Sequence, residues 1–164
     1  MNRLFLLLGG NLGNKSLIFK EAQNKLQEKL GKITKKSSIY ETEPWGFKTK
    51  DNFWNQALII ETPLSHKEIL KITKDTEIEL GRIRGEKRYT SRTIDIDLLF
   101  LGNLIINEPN LEIPHPRMIN RRFVLIPMSE IAPEWVHPVF KKTITKLLEE
   151  CTDSLEVKKL KYID

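Results

Sequence analysis

Apolar and polar residues follow one another along this chain with two different periods, and these periods predict strands and helices. Strand-like patterns occupy residues 3–9, 33–42, 52–62 and 94–101. Apolar residues spaced by three and four positions, as in amphipathic helices, occupy residues 14–30 and 65–80. The predicted order is strand, helix, strand, strand, helix, strand. This is the ferredoxin-like arrangement, with an antiparallel sheet and both helices on one face.

Helix-start signals support both helical predictions. Asn14 is a suitable N-cap for the first helix, and Ser65 with Glu68 forms a capping box in front of the second. Residues 10–13 predict a turn before the first helix, because they contain two glycines and an asparagine. The apolar face of the first helix is predicted at Leu17, Ile18, Ala22, Leu26 and Leu30.

The second half of the chain has a less regular pattern. Residues 104–107 are expected to form a hairpin with the preceding strand, and residues 120–131 a helix broken by Pro127. Residues 143–150 predict a short helix, and residues 155–163 a last edge strand. The expected fold class is therefore α+β, with a ferredoxin-like βαββαβ core, an antiparallel sheet with helices packed on it, and a C-terminal extension.

Length, charge and cysteine content narrow the possible classes of protein. A chain of 164 residues is long enough for a sizeable core, so we expect one catalytic domain over residues 1–164. No apolar stretch approaches the roughly 18 residues of a membrane helix. The single cysteine, Cys151, excludes an internal disulfide and favours a reducing cytoplasm. The net charge of +5 favours anionic partners, either nucleotides or nucleic acid.

A basic segment directly before the fourth strand pattern carries the clearest candidate chemistry. Its cations are Arg82, Arg84, Lys87, Arg88 and Arg92. Asp95 and Asp97 follow inside an apolar strand, and their spacing places both carboxylates on one face. At about 5 Å and an effective dielectric near 20, two such charges repel by roughly 3 kcal/mol, which a hard cation such as Mg²⁺ would remove. Cations beside an Mg²⁺ site are typical of phosphoryl transfer.

Four further residues are candidate ligand contacts. Phe53 and Asn55 share one face of a strand, so a ring for stacking lies beside an amide that can bind the edge of a flat heterocycle. Taken alone, Phe53 is better explained as a core residue. His115 lies between two prolines and is equally typical of a structural hydrogen bond. Arg121 is long enough to reach a phosphate, and an exposed surface arginine is the alternative interpretation.

Seven short motifs run in order along most of the chain. They are LLLGGNLG at residues 6–13, YETEPWG at 40–46, FWN at 53–55, GRIR at 81–84, SRTIDID at 91–97, IPHPRM at 113–118 and RRFVLIP at 121–127. Together they resemble the motifs of the 6-hydroxymethyl-7,8-dihydropterin pyrophosphokinase family. The resemblance implies an enzyme of folate biosynthesis that transfers pyrophosphate from ATP to the hydroxymethyl oxygen of the reduced pterin and releases AMP.

The resemblance also implies roles for individual residues. Asp95 and Asp97 would hold two Mg²⁺ ions with ATP, and Arg82 and Arg92 would complete the catalytic group. The implied pterin contacts are Thr42, Pro44, Trp45, Gly46, Phe53, Asn55 and Phe123. The implied nucleotide contacts are Glu77, Arg82, Arg84, Tyr89, Arg92, Leu98, His115 and Arg121. We expect a cytoplasmic monomer that binds ATP and a reduced pterin, with no nucleic-acid or membrane partner.

Two other classes of protein compete with this interpretation. A basic ferredoxin-like domain with exposed aromatic residues suits RNA recognition, but the expected Lys/Arg-Gly-Phe/Tyr-Gly/Ala-Phe-Val motif is absent, and two acids occupy the strand that phosphate would approach. A non-catalytic nucleotide sensor with the same fold is the second alternative. The intact Arg92, Asp95 and Asp97 argue against a sensor.

Overall fold

The computed structural model describes residues 1–43, 52–81 and 94–161, and its elements follow the predicted order. The strands are β1 (Asn2–Gly10), β2 (Lys32–Lys36), β3 (Tyr40–Thr42), β4 (Phe53–Thr62), β5 (Asp95–Leu101), β6 (Ile106–Glu108), β7 (Leu111–Ile113) and β8 (Lys158–Lys159). The helices are α1 (Lys15–Lys29), α2 (His66–Glu79), α3 (Arg122–Ile131) and α4 (Ile144–Glu150), with a 3₁₀ turn at Met118–Asn120.

The main sheet confirms the ferredoxin-like prediction. Its strands lie in the order β5-β1-β4-β3-β8, β2 also pairs with β4, and the pairs are antiparallel. The predicted strand at residues 33–42 is in fact two strands, β2 and β3, which pair with successive parts of β4. Ser37 lies between them, where its hydroxyl accepts a hydrogen bond from the N–H of Ala57 at 2.9 Å. The N–H of Ser37 donates in turn to the carbonyl of Ala57 at 2.9 Å, so the side chain replaces only the carbonyl of Ser37 in this pair.

The helices α1 and α2 pack on one face of the sheet, as predicted. Both predicted N-caps are present, because the Asn14 side chain accepts from Leu17 N and Ser65 forms a reciprocal capping box with Glu68. The predicted inward face of α1 needs one correction. Leu17 is half exposed, and Phe19 is buried against the sheet instead. Phe19, with Ala22 and Leu26 at the next helical spacings, therefore forms the inward stripe.

The C-terminal extension covers the opposite face of the sheet. Phe5 and Leu7 of β1 point to that face and pack with residues of α3 and α4, whereas Leu4 and Leu6 point to α1 and α2. The side chains that the two C-terminal helices contribute to this second core are Val124, Leu125, Met128, Ile131, Ile144 and Leu147. Among the described residues, the sheet is therefore buried on both faces.

Two predictions for the second half were wrong. Residues 104–107 do not pair with β5, because β6 pairs with β7 in a separate two-stranded sheet. Gly102, with a φ of 54°, turns the chain away from β5. The helix α3 is not broken at Pro127 and continues to Ile131. Pro127 cannot donate to the carbonyl of Phe123, but it is itself buried, and its contribution to the core offsets the missing hydrogen bond.

A polar cluster ties α3 to β3. The Glu130 carboxylate accepts hydrogen bonds from the Tyr40 hydroxyl at 2.8 Å, and from the N–H and the hydroxyl of Ser38 at 3.0 Å each. Burial opposes ionisation of Glu130, but the hydrogen bonds from Ser38 and Tyr40 outweigh it and lower the pKa of Glu130. Burial, and then the hydrogen bond to Glu130, raise the pKa of Tyr40. The cluster therefore stabilises the fold when Glu130 is ionised and Tyr40 is protonated.

This cluster predicts a loss of stability in acid. A lowered folded-state pKa means that the contribution of Glu130 is complete above its unfolded pKa of about 4.3 and disappears as the pH falls through the folded value. As the pH falls, we expect the free energy of unfolding to decrease more steeply in the wild type than in Glu130→Gln. The difference between the two slopes corresponds to at most about one extra proton bound on unfolding. Urea unfolding at several pH values below 5 measures the slopes, and parallel slopes would contradict the assignment.

Candidate active site

A cavity of about 530 Å³ opens on the α3 side of the sheet. Residues from four strands, from the segment before α3, from the start of α3 and from the C-terminal segment surround it. They are Leu7, Gly9, Thr42, Glu43, Phe53, Asn55, Asp95, Asp97, Arg117, Asn120, Arg121, Phe123, Asp153 and Leu155. This volume is within the range of small-molecule sites, roughly 300–1,000 Å³.

Gly9 forms part of the floor of this cavity. In the sheet register, Gly9 lies opposite Asp95 on one side and opposite Asn55 on the other. A Cβ atom at Gly9 would lie only 3.0 Å from Oδ1 of Asn55. The absence of a side chain therefore keeps the space between the carboxylate and the amide free. Because β1 runs through Gly10, the predicted turn at residues 10–13 begins later than expected.

Four of the predicted pterin contacts lie together in the cavity wall: Thr42, Phe53, Asn55 and Phe123. Thr42 and Phe53 are partners in the β3–β4 register, and Asn55 is one pleat further along β4 with only 5% of its surface exposed. Phe123 enters from the start of α3. A ring from the sheet, a ring from the helix and a buried amide thus line one cavity. The predicted contacts Pro44, Trp45 and Gly46 lie outside the described residues.

The acid pair occupies the edge strand of the sheet. Asp95 and Asp97 are half-buried and line the cavity, whereas Ile96 between them is buried on the other face. The Glu77 carboxylate of α2 accepts a hydrogen bond from the N–H of Ile96 at 2.7 Å. Glu77 is 92% buried. It therefore fixes the backbone of β5 between the two aspartates.

The acid pair fits magnesium brought in with a nucleotide. Among the described residues, no group of three or more His, Cys, Asp or Glu side chains could hold a metal ion. Two carboxylates are too few for a closed all-protein site. They suit Mg²⁺ well, because this ion keeps several waters and is commonly held by one or two carboxylates and the phosphates of the substrate.

Two arginines, Arg117 and Arg121, line the cavity together with the acid pair, and His115 interacts electrostatically with both arginines. Burial and the neighbouring Arg117 lower the pKa of Arg121, while Asp97 and Asp153 act in the opposite direction. The guanidinium carbon of Arg121 lies 5.5 Å from the ring centroid of Phe123. Burial, followed by Arg121 and Arg117, lowers the pKa of His115. Mutual repulsion between Arg117 and Arg121 makes this side of the cavity attractive for a polyanion.

The structure places three predicted nucleotide contacts outside the wall of this cavity. Besides Glu77, Leu98 is 95% buried in the core on the α1 and α2 side. His115 donates its N–H to the carbonyl of Leu99, and its Nδ1 accepts from the N–H of Arg117. Of the predicted nucleotide contacts that the structure describes, only Arg121 lines the cavity. The predicted contacts Arg82, Arg84, Tyr89 and Arg92 lie outside the described residues.

Seven cavity residues were not predicted as site residues from the sequence: Leu7, Gly9, Glu43, Arg117, Asn120, Asp153 and Leu155. Arg117 and Asn120 lie at the two ends of a 3₁₀ turn, which is too short for hydrophobic periodicity to give a direction to a side chain. For the C-terminal pair a weak signal exists, because Leu155 and Val157 have the period of a strand. An aspartate at the preceding position of this alternation is typical of an exposed residue, so the pattern does not predict that Asp153 lines the cavity.

The fold and the cavity define an α+β protein in which two aromatic rings, a buried amide and a pair of carboxylates line one cavity. The sequence model of the 7,8-dihydro-6-hydroxymethylpterin-pyrophosphokinase (HPPK) family matches residues 5–133. The chain belongs to this family.

Similar proteins agree with the family assignment. The 2-amino-4-hydroxy-6-hydroxymethyldihydropteridine pyrophosphokinase of Porphyromonas gingivalis is 40% identical over 138 residues, which cover 82% of this chain and 93% of that protein. The enzyme of the same name from Bacillus subtilis is 40% identical and covers 81% of this chain and 80% of its own.

A solved structure, the wild-type HPPK-DHPS of Plasmodium falciparum, has the same fold with a TM-score of 0.74 at 19% identity. The match covers 91% of this chain and 44% of that one, so this chain spans less than half of the Plasmodium protein.

Proposed function

We propose that the cavity between β4, β5 and α3 is the catalytic site of this enzyme. The chain transfers pyrophosphate from ATP to the hydroxymethyl group of 6-hydroxymethyl-7,8-dihydropterin, a step of folate biosynthesis. The observation that carries the site assignment is the joining of two groups in one cavity of about 530 Å³. Phe53, Asn55 and Phe123 suit the pterin, and Asp95 with Asp97 suit the metal-bound phosphates.

The heterocycle and the phosphates occupy opposite ends of the cavity in this proposal. The rings of Phe53 and Phe123 offer flat apolar surface, and Asn55 presents both a donor and an acceptor to the edge of the pterin. Because Asn55 is 95% buried, water competes little with a ligand for its hydrogen bonds. Gly9, without a side chain, lets the hydroxymethyl group extend from this end towards Asp95 and Asp97.

At the acid end, the chain mainly positions charge. Asp95 and Asp97 would hold Mg²⁺, which, when bound, neutralises the phosphate oxygens and orients the triphosphate. Arg121 would contact a phosphate, since it lines the same cavity. The hydroxymethyl oxygen forms a bond to the β-phosphorus, the bond from this phosphorus to the bridging α,β-oxygen breaks, AMP leaves, and the hydroxyl proton is lost. No covalent protein intermediate is required.

The proposal extends to the state of the protein. We propose that residues 1–164 act as one catalytic domain and as a monomer in the cytoplasm. A single cysteine, Cys151, suits a reducing compartment. None of the described helices has the length and hydropathy needed to cross a membrane. Light scattering at the concentration used for the assay tests the monomer.

The decisive experiment is an assay for AMP. With ATP, Mg²⁺ and the reduced hydroxymethylpterin, we expect AMP and the pterin diphosphate in equal amounts. The matched control is the reduced 6-methylpterin, which has the same rings but no hydroxyl oxygen, and should give no AMP. Nucleotide binding without turnover would favour a sensor. Formation of ADP would show a different phosphoryl transfer and would overturn the mechanism.

A further inference from the structure

An extended segment after α4, at residues 151–160, forms one wall of the cavity. The family match does not include this segment. That match ends at residue 133. Exposure alternates along the segment, with Asp153, Leu155 and Val157 half-buried and the residues between them exposed. The end of the segment is held to the main sheet, because β8 pairs with β3. The alternate inward side chains therefore have a fixed direction, and Asp153 and Leu155 line the cavity.

Asp153 connects this segment to the start of α3. Its Oδ2 accepts from the N–H of Arg122 at 3.0 Å, and its Oδ1 accepts from the N–H of Leu155 at 3.0 Å. Arg122 is the first residue of α3, and the N-cap residue, Arg121, makes no capping hydrogen bond with its side chain. Asp153 thus supplies from the far end of the chain the carboxylate that a helix N-terminus favours.

The helix start that Asp153 holds carries two proposed ligand contacts. Arg121 precedes the bonded N–H group of Arg122, and Phe123 follows it. The carboxylate of Asp153 also attracts the guanidinium of Arg121, against the repulsion from Arg117. A shift of Asp153 would therefore move both the ring proposed for the pterin and the cation proposed for the phosphate.

We propose that residues 151–157 form a C-terminal strap at the pterin end of the active site, in which Asp153 is a positioning residue for α3 and Leu155 contacts the substrate. This inference rests on the proposed function of the cavity. Leu155 would pack against the reduced pterin ring and exclude water from it. Asp153 would act through Arg121 and Phe123 and would not contact the reacting atoms.

The test compares Asp153→Ala and Leu155→Ala with wild type and with Glu156→Gln. Glu156 is the matched control, because it is a carboxylate of the same segment on the exposed face. For Asp153→Ala we expect kcat/KM for the pterin to fall roughly 2- to 30-fold, the range for loss of one helix cap. For Leu155→Ala we expect a higher KM for the pterin with kcat nearly unchanged, and for Glu156→Gln no change.

Conservative substitution and direct binding separate positioning from general destabilisation. Asp153→Asn keeps one acceptor oxygen and should recover part of the loss. Calorimetry should show weaker pterin binding for both alanine variants at a temperature where circular dichroism shows them folded. Wild-type kinetics in both variants, or losses equal to that of Glu156→Gln, would overturn the strap. If the wild type forms no AMP, the proposed function fails, and the calorimetric comparison alone still decides whether the strap contacts the pterin.

Discussion

Replacing Asp97 with asparagine should abolish Mg²⁺-dependent AMP formation. The substitution keeps the shape of the side chain and removes one of the two carboxylates in the cavity wall. A neutral amide is a poor ligand for a hard dication, so only one of the two carboxylates proposed to hold the metal would remain. The measurement is AMP release at saturating ATP and pterin.

The matched control for this prediction is Asp75→Asn. Asp75 is an exposed carboxylate of α2, paired with Lys71 at 3.0 Å across one helical turn. We expect its loss to leave activity unchanged, since exposed pairs contribute little. Turnover by Asp97→Asn close to the wild-type rate would remove Asp97 from the metal site.

The same substitution should stabilise the protein when no metal is present. Asp95 and Asp97 repel each other on one face of β5, and Arg121 offsets part of this repulsion because it interacts with Asp97. In chelator we therefore expect Asp97→Asn to be more stable than the wild type by about 1 kcal/mol or less. Mg²⁺ and ATP should shrink or reverse the difference, because ligands stabilise only the protein that binds them. A variant clearly less stable than the wild type in chelator would show that Asp97 has a structural role.

The periodic part of the fold was predictable from sequence because periodicity reports burial directly. The apolar run at residues 4–8 predicts a strand, and the structure adds that both faces of this strand are buried, Leu4 and Leu6 in one core and Phe5 in the other. Caps at Asn14 and Ser65 located the helix starts. Pro127 misled the prediction, because propensity describes an isolated helix, whereas burial of the proline decides the outcome here.

The candidate site was predictable where its residues share a strand. A spacing of two placed Asp95 with Asp97, and Phe53 with Asn55, on common faces, and all four line the cavity. Joining these two pairs required the β1 register, in which Gly9 lies between Asp95 and Asn55. Nothing in a single sequence specifies that register. Asp153 was missed for the same reason, since its partner on Arg122 is 31 residues away along the chain.

Phe123 should be the residue whose removal most selectively weakens pterin binding. Its ring lines the cavity at the second position of α3 and is only partly packed against the core of α3 and α4. Stacking of a base on an aromatic ring contributes about 1–3 kcal/mol by alanine substitution. For Phe123→Ala we therefore expect pterin affinity to fall by about 5- to 150-fold.

The affinity of Phe123→Ala for ATP should change little, because the ring is not itself a proposed nucleotide contact. It lies beside one, Arg121, whose guanidinium carbon is 5.5 Å from the ring centroid. Titration calorimetry with each ligand separately makes the comparison, and Phe140→Ala is the control, since Phe140 is a phenylalanine with 49% of its surface exposed. The control should bind both ligands as the wild type does. Equal losses of pterin and ATP affinity in Phe123→Ala would mean that the ring supports the core of α3. The pterin would then have to stack elsewhere, and Phe53→Ala would be expected to carry the selective loss instead.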